Sequence, residues 1–314
     1  MVKLGCLEIQ FDNGSGSYLA GQRVSGNVIL NSDQPIPVRN IYIELDGRTK
    51  NYWVNKTSDK IYESSEQHCN SRVDLPIADK LTADNTLIPG AHALPFYFDL
   101  QSNLPSSFND EYGCTRYVCA AKVQLNSVGM GCIPAMSDNG GEFCVEKALT
   151  IFGLSANTTG LQSLEPVQRT DRTEVAGWLR NKGAVVTNLV LSKAEFVVGE
   201  EVIGELNVCN GSSANLKQID VMLMQQTVFL AISRYEGAQD QKHIIRTVAA
   251  QRFGPVAKSS EERWGVRISV PMIPPTEGFG RNLINISYFV RVSSKYGVEI
   301  TVPVVILTVG TKSR

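Results

Sequence analysis

Three histidines, His68, His92 and His243, are the only imidazoles in 314 residues, and none stands at a spacing that builds a metal site or a nucleophile–base pair. His92 follows Pro89-Gly90 and is expected in a turn, where a histidine is solvated or caps a carbonyl. Ser106-Ser107 sits in Leu104-Pro105-Ser106-Ser107-Phe108, without the Gly-x-Ser-x-Gly elbow that exposes a nucleophile. Asp110-Glu111 offers two carboxylates, but at a loop tip such a pair is solvated rather than set across a substrate. No glycine-rich phosphate loop or dinucleotide fingerprint is present, and Gly140-Gly141 after Asp138-Asn139 reads as a hairpin turn. The cysteines (Cys6, Cys69, Cys114, Cys119, Cys132, Cys144, Cys209) contain no Cys-x-x-Cys, which removes the zinc-ribbon and thioredoxin-type readings. Cys119 and Cys209 fall within or at the ends of apolar runs and read as small core side chains. These residue types at these spacings point to no enzyme, no cofactor and no metal.

Composition narrows the remaining classes. Thirty Lys+Arg against 31 Asp+Glu give a net charge of -1, far from the basic footprint of a nucleic-acid binder. Hydrophobic residues at 43% supply apolar side chains for two cores, since single domains commonly run roughly 100–200 residues. The opening Met1-Val2-Lys3-Leu4-Gly5-Cys6 reaches the polar Glu8 and Gln10 without the apolar run of a secretory signal. The most apolar stretch, Val302 to Val309, is far short of the roughly 20 residues of a membrane span. The expectation is a soluble, cytoplasmic chain with peripheral membrane association at most. Sequons at Asn55, Asn157, Asn210 and Asn285 pull the other way, but such tripeptides arise often by chance.

The elements that must position any site read as strands almost throughout. Val24, Gly26, Val28 and Leu30 alternate with Ser25, Asn27 and Ile29, and Ile41, Ile43 and Leu45 with Tyr42, Glu44 and Asp46. Tyr117, Cys119, Ala121, Val123 and Leu125 share a face opposite Lys122 and Gln124. A period of two with one apolar face predicts half-buried antiparallel strands. Turn residues punctuate them at Asn13-Gly14-Ser15-Gly16, Asp33 to Pro37, Pro89-Gly90 and Asn210-Gly211-Ser212. A brief helix in a crossover is allowed for; no strong helical stripe is present.

Sliding the sequence by 178 residues lays Ala20–Leu45 over Val198–Leu223 without a gap. Gly21 meets Gly199, Val24 meets Val202, Gly26 meets Gly204, Ile41 meets Ile219 and Leu45 meets Leu223. The chain therefore reads as a duplicated β-sandwich. The polar stretch from Ala156 to Glu174 places the boundary: residues 1–165 as the N-terminal domain, 166–177 as linker and 178–314 as the C-terminal domain. Tyr235 to Glu262 reads as a long irregular excursion of the second domain.

Ile88-Pro89-Gly90-Ala91-His92-Ala93-Leu94-Pro95-Phe96-Tyr97-Phe98 leads into Leu104-Pro105-Ser106-Ser107-Phe108 and then Tyr112-Gly113-Cys114-Thr115-Arg116-Tyr117. This series resembles the arrestin N-domain signature, whose positions here are Pro89, Gly90, Pro95, Phe96, Phe98, Leu104, Pro105, Ser106, Ser107, Phe108, Gly113, Arg116 and Tyr117. Val198-Gly199-Glu200-Glu201-Val202, Leu223-Met224-Gln225-Gln226 and the closing Val302-Pro303-Val304-Val305-Ile306-Leu307 resemble the C-domain. The pattern is most similar to the arrestin-domain-containing proteins, or α-arrestins. The resemblance implies an all-β chain of two immunoglobulin-like sandwiches. It also implies an adaptor that binds membrane-protein cargo, receptors or transporters, and couples it to ubiquitin ligases and to endocytic or endosomal sorting, recruited to plasma membrane and endosomes.

The departures qualify which partners are implied. In this family ligases of the WW-domain class are recruited through Pro-Pro-x-Tyr, so that partner is expected only if residues beyond Arg314 carry the motif; Pro274-Pro275-Thr276-Glu277 does not. The lysine pair with which visual and β-type arrestins read receptor phosphates is replaced by Glu8-Ile9-Gln10-Phe11. No counterpart of their acidic polar-core residues stands between Gly21 and Val28. Glu261-Glu262-Arg263 before Trp264 lacks the cysteine of the thioredoxin-binding member, so thioredoxin is not an expected partner. The competing readings are a retromer-like structural subunit and, on the sequons alone, an extracellular adhesion module.

Overall fold

Wherever the sequence alternates, the backbone is extended and one side chain in two is buried. The computed structural model describes residues 4–126, 141–154, 165–175, 183–277, 283–295 and 298–308. The chain divides into two compact units, Met1–Lys50 with Ser64–Gly153 and Asn51–Glu63 with Leu154–Arg314.

In chain order the first half supplies β1 (Cys6–Phe11), β2 (Ser17–Leu19), β3 (Arg23–Ser32), β4 (Ile36–Asn55) and β5 (Lys60–Asp74). After a 3-10 turn at Ala78–Lys80 come β6 (Thr86–Leu87), β7 (Gly90–Asp99), β8 (Phe108–Asn109), β9 (Gly113–Leu125) and β10 (Glu142–Phe152). One sheet of the first unit runs β1-β3-β7 and the other β5-β4-β9-β10-β2, with β2 parallel to β10. Val24, Val28 and Leu30 from the first sheet share a core with Ile41, Ile43, Leu45, Tyr117, Cys119, Ala121 and Val123 from the second. Phe11 closes one side of that core, edge-on to Tyr18 and Phe96 with centroids 6.1 and 6.4 Å away.

The second half continues with β11 (Val167–Glu174), β12 (Ala184–Leu191), β13 (Glu195–Val197), β14 (Glu201–Asn210) and β15 (Ile219–Ser233). It ends with β16 (Gln239–Phe253), β17 (Ser260–Ser269), β18 (Ile284–Ser294) and β19 (Glu299–Leu307). Its sheets run β11-β12-β14-β17 and β13-β19-β18-β15, with β16 on the other side of β15.

The repeat read from the sequence is a repeat of hydrogen bonds. Glu195–Val197 and Glu201–Asn210 begin and end 178 residues after Ser17–Leu19 and Arg23–Ser32. In the turn between each pair, Gly21 and Gly199 take φ of 82° and 88°, where a side chain is strained. The Gln22 side chain accepts from Leu19 N–H, and the Glu200 side chain from Val197 N–H. Ala20 N–H donates to Phe152 O as Val198 N–H does to Leu307 O. A Cβ on Gly26 would overlap the Gln10 carbonyl, and one on Gly204 the Val190 carbonyl, because the neighbouring strand lies directly against each.

Three expectations need correction. Val167–Glu174, placed in the linker, is a strand paired along its length with β12. Its side chains are polar on both faces because it lies at a sheet edge, which hides the strand from a hydrophobicity reading. The segment read as an excursion, Tyr235 to Glu262, contains all of β16, paired with β15 from Ile219↔Phe253 to Ile232↔Gln239, and the start of β17. A bulge between Leu223 and Met224 breaks the alternation there. His92 is in β7 rather than in a turn, with its Nε2 2.7 Å from Ile88 O.

The domain boundary also falls elsewhere, because the end of the β4–β5 hairpin belongs to the second unit. Tyr62 and Glu63 pair with Ser233 and Ile232, and Arg234 N–H donates to Ile61 O. The buried Asn51 side chain donates to Leu230 O and Leu283 O at 2.9 and 2.8 Å. Trp53, stacked on Tyr62 at 5.9 Å, donates its indole N–H to Asp240. Arg234 holds Glu63 through two hydrogen bonds, which keeps that carboxyl below its ordinary range.

Candidate functional site

The family-signature positions hold the first sandwich together. Tyr117 on β9 is buried and its hydroxyl donates to Pro105 O at 2.7 Å. Ser107 N–H donates to Ile151 O while its Oγ accepts from Ile151 N–H, and the buried Ser106 Oγ accepts from Gly153 N–H. The two serine hydroxyls thereby hold the end of β10 and the residue after it. Leu104, Phe96 and Phe98 are core side chains. Phe108 pairs with Thr115 in the β8–β9 ladder, which Gly113 opens, and Arg116 donates to Asn109 beside it. Pro89 is exposed just before β7, which Gly90 starts at φ 130°. The second unit repeats the device without the motif: Tyr288 donates to Pro274 O, and Thr276 exchanges both bonds with Ile306. Burial raises the Tyr288 hydroxyl well above the usual tyrosine value, so it stays a donor.

The other chemistry-bearing residues are dispersed. His68 Nε2 lies 2.6 Å from the Thr49 hydroxyl, which is 2.7 Å from that of Thr115, and burial lowers the His68 pKa. His243 lies on β16 near Gln226. Asp110 and Glu111 form the turn between β8 and β9, where Asp110 accepts from Glu111 N–H. The Cys119 thiol is buried and pushed up to about 12, and Cys69 to about 11, so both are thiols rather than nucleophilic thiolates. Cys209 is exposed, not core, because it faces away from Val202, Leu206 and Val208 on β14. Cys132, Gly140 and the sequon at Asn157 lie outside the described residues. Asn210 is buried, its amide donating to Ala214 O and Ala257 O, a position closed to a glycan. Among the described residues no group of three or more His, Cys, Asp or Glu could hold a metal ion, and no helix is long and apolar enough to cross a membrane.

What the sandwiches present instead is strand edges, and side chains close several of them. Antiparallel pairing directs alternate backbone groups outward. On β1, Asp12 N–H bonds Ser25 O, so Ile9 points outward, and its carbonyl accepts from Lys147 Nζ at 2.8 Å. On β7, Leu100 N–H bonds Gln22 O, which turns position 95 outward, and there Pro95 has no N–H to offer. On β17, Val270 N–H bonds Glu200 O, and the outward Arg267 N–H is taken by the Gln251 side chain at 2.8 Å. Strand β16 is different. Leu230 N–H bonds Leu283 O, so Phe229, Thr227 and Gln225 face β16, bonding Lys242, Ile244 and Arg246. Gln241, His243 and Ile245 are left pointing outward, with Ile245 53% exposed. Next to the start of β15, a surface cleft of about 440 Å³ is lined by Lys217, Gln218, Asp220, Ser293, Ser294 and Lys295. Asp220 there is occupied by Gln218 and Arg252.

The hairpin and the edge-closing side chains escaped the sequence reading. The structure shows why: β4 runs for 20 residues, twice the usual upper length of a strand, and its end lies in the second unit.

Two sandwiches, each with a tyrosine bonded to a proline carbonyl, define a tandem β-domain protein whose signature hydroxyls bind backbone. Residues 7–130 match the family described as arrestin (or S-antigen), N-terminal domain, and residues 181–311 match arrestin (or S-antigen), C-terminal domain. Arrestin domain-containing protein 17 of Caenorhabditis elegans is 27% identical over 98% of this chain and 71% of its own length. Arrestin domain-containing protein 15 of the same species is 24% identical over 93% of this chain and 76% of its own. Human arrestin domain-containing protein 1 is 25% identical over 98% of this chain and 65% of its own. The chain belongs to the arrestin family, with arrestin-domain-containing proteins as relatives along its whole length. Proteins of this family are in general non-enzymatic adaptors and scaffolds.

Proposed function

We propose that the chain is an α-arrestin-like adaptor that binds membrane-protein cargo, receptors or transporters, and couples it to ubiquitin ligases and to endocytic or endosomal sorting. It would work in the cytoplasm and be recruited to plasma membrane and endosomes. The observation that carries this reading is the ordered match of both arrestin domains along one chain. Ser106, Ser107 and Tyr117 of the signature support it, since all three bind backbone and serve the scaffold. The ligase arm belongs to a protein in which residues after Arg314 carry Pro-Pro-x-Tyr, and a WW-domain ligase is then the partner class.

Proximity labelling in cells by the full-length protein tests the reading. Enrichment of integral membrane proteins together with ligase or endosomal components is the expected result. A labelled set without any of these three would sink it. Recovery of one stoichiometric partner set from lysate would favour a structural subunit instead.

A further inference from the structure

We propose that the edge of β11 is a self-association site, where two copies of this chain pair their β11 strands antiparallel about Thr170. Strand β11 ends the sheet β11-β12-β14-β17 and pairs with β12 alone among the described residues. Val175 N–H donates to Gly183 O at 2.8 Å, so the N–H groups of Asp171 and Arg169 also face β12. Those of Gln168, Thr170 and Arg172 point outward, and all three residues are exposed.

The side chains decide what can pair there. Arg169 and Asp171 stand opposite Leu189 and Thr187 of β12, both buried, so they lie on the inner face of the sheet. The Thr173 hydroxyl donates to Asp171 at 2.6 Å and holds the carboxylate on that face. Charges on the inner face of an edge strand turn most strands away, because an apolar neighbour leaves them unpaired. A second β11 does not. Two-fold antiparallel pairing sets one residue opposite itself. Centred on Thr170, it puts Arg169 of each copy opposite Asp171 of the other, and Gln168 opposite Arg172. The outward groups of Gln168, Thr170 and Arg172 then exchange about six backbone hydrogen bonds. Centring on Arg169, Asp171 or Arg172 sets like charges face to face, which destabilises a pair. Centring on Gln168 sets Asp171 against Glu165, and centring on Thr173 pairs only residues 172 to 174 of the strand. A uniformly acidic or uniformly basic segment of another protein would meet Asp171 or Arg169 with its own sign. The edge therefore selects its own copy.

Stable interfaces bury roughly 1,200 Å² or more, beyond what one short strand pair covers, so the dimer is a weak one that forms at high concentration. It is independent of the adaptor reading, being a property of the purified chain. Sedimentation equilibrium of the full chain from about 10 μM to about 1 mM is expected to show monomer and dimer. Hydrogen exchange at the upper end is expected to slow at Gln168, Thr170 and Arg172. Arg169→Asp and Asp171→Arg each set two like-charge pairs into the dimer, and each is expected to weaken it about tenfold. Mixed, the two variants face each other with opposite charges at every such position and are expected to associate as the native chain does. Rescue in the mixture separates charge matching from loss of fold.

A monomer throughout that range, undiminished association of either variant, or a mixture that stays monomeric would overturn the proposal. Slowed exchange on another strand and not on β11 would assign self-association to a different edge and overturn it as well. A blocked peptide of residues 167–174 tests the selection directly, beside a twin carrying Arg169→Asp and Asp171→Arg. The first is expected to slow exchange at Thr170 and the twin is not; equal slowing by both would mark an edge open to any strand and refute the site. If either charge variant does not fold, Thr170→Pro serves, since it removes the central outward N–H. It is expected to abolish the dimer, and a dimer that persists refutes the pairing.

Discussion

The two sandwiches share a frame and differ at their margins. Turn, glycine contact and tyrosine clasp recur with the same backbone partners, although Gln22 is replaced by Glu200 and Ser107 by Thr276. At the margins the first unit closes β1 and β7, while the second takes in the end of a hairpin from the first half and leaves β16 open. Bonds that fix a fold reach between strands that any sandwich of this type brings together, so substitution that keeps an acceptor in place keeps the bond. Edges are individual, set by the side chains that each unit carries beside them.

The largest break in that comparison is Trp53→Ala. It removes a buried aromatic, its stacking on Tyr62 and the bond to Asp240, at a cost of about 3–5 kcal/mol. Hydrogen exchange followed unit by unit should show the loss in the second unit, although residue 53 lies in the first half of the sequence. Loss confined to the first unit would refute the hairpin assignment.

Next come Gly26→Ala and Gly204→Ala, which push a methyl against a neighbouring backbone carbonyl and should each cost about 2–3 kcal/mol in their own unit. Denaturant unfolding checks whether the two penalties match, as a true structural repeat requires. Tyr117→Phe and Tyr288→Phe leave a carbonyl of Pro105 or Pro274 unbonded, for about 1–2 kcal/mol each by the same measurement.

The smallest effect sharpens the one chemical difference between the turns. Partial burial pushes the Glu200 carboxyl up, but bonds from Lys193 and Val197 N–H outweigh it and leave the pKa below the ordinary 4.5. A depressed folded-state value contributes stability above the unfolded pKa that is lost as pH falls through the folded one. Hydrogen exchange at Val197 should therefore speed up as pH drops below about 4.5, relative to Leu19, whose partner Gln22 does not titrate. The change should be a few tenths of a kcal/mol, about the size expected for a carboxylate nearly half exposed. Equal response at both turns would show that Glu200 is not the titrating support.

Much of the frame was legible because it is local. Period-two alternation in β3, β4 and β9 names the buried side of each, Gly26 and Gly204 mark positions where a side chain has no room, and Gly21 and Gly199 mark turns whose positive φ strains one. The strands that were missed, β11 and β16, are edge strands with little to bury, so alternation has no apolar face to report. His92 was misplaced because Pro89-Gly90 marks where a turn ends as readily as where it lies.

By itself the sequence determined the class of fold, the duplication and the absence of recognisable catalytic spacing, because each follows from residues close together or from a pattern repeated along the chain. Only the tertiary structure decided that Asn51–Glu63 serves the second unit, that Lys147, Pro95 and Gln251 close edges, and that β16 stays open. Those facts depend on side chains meeting backbone more than a hundred residues away, or on the direction of a single N–H. Both are fixed by register, which no local pattern records.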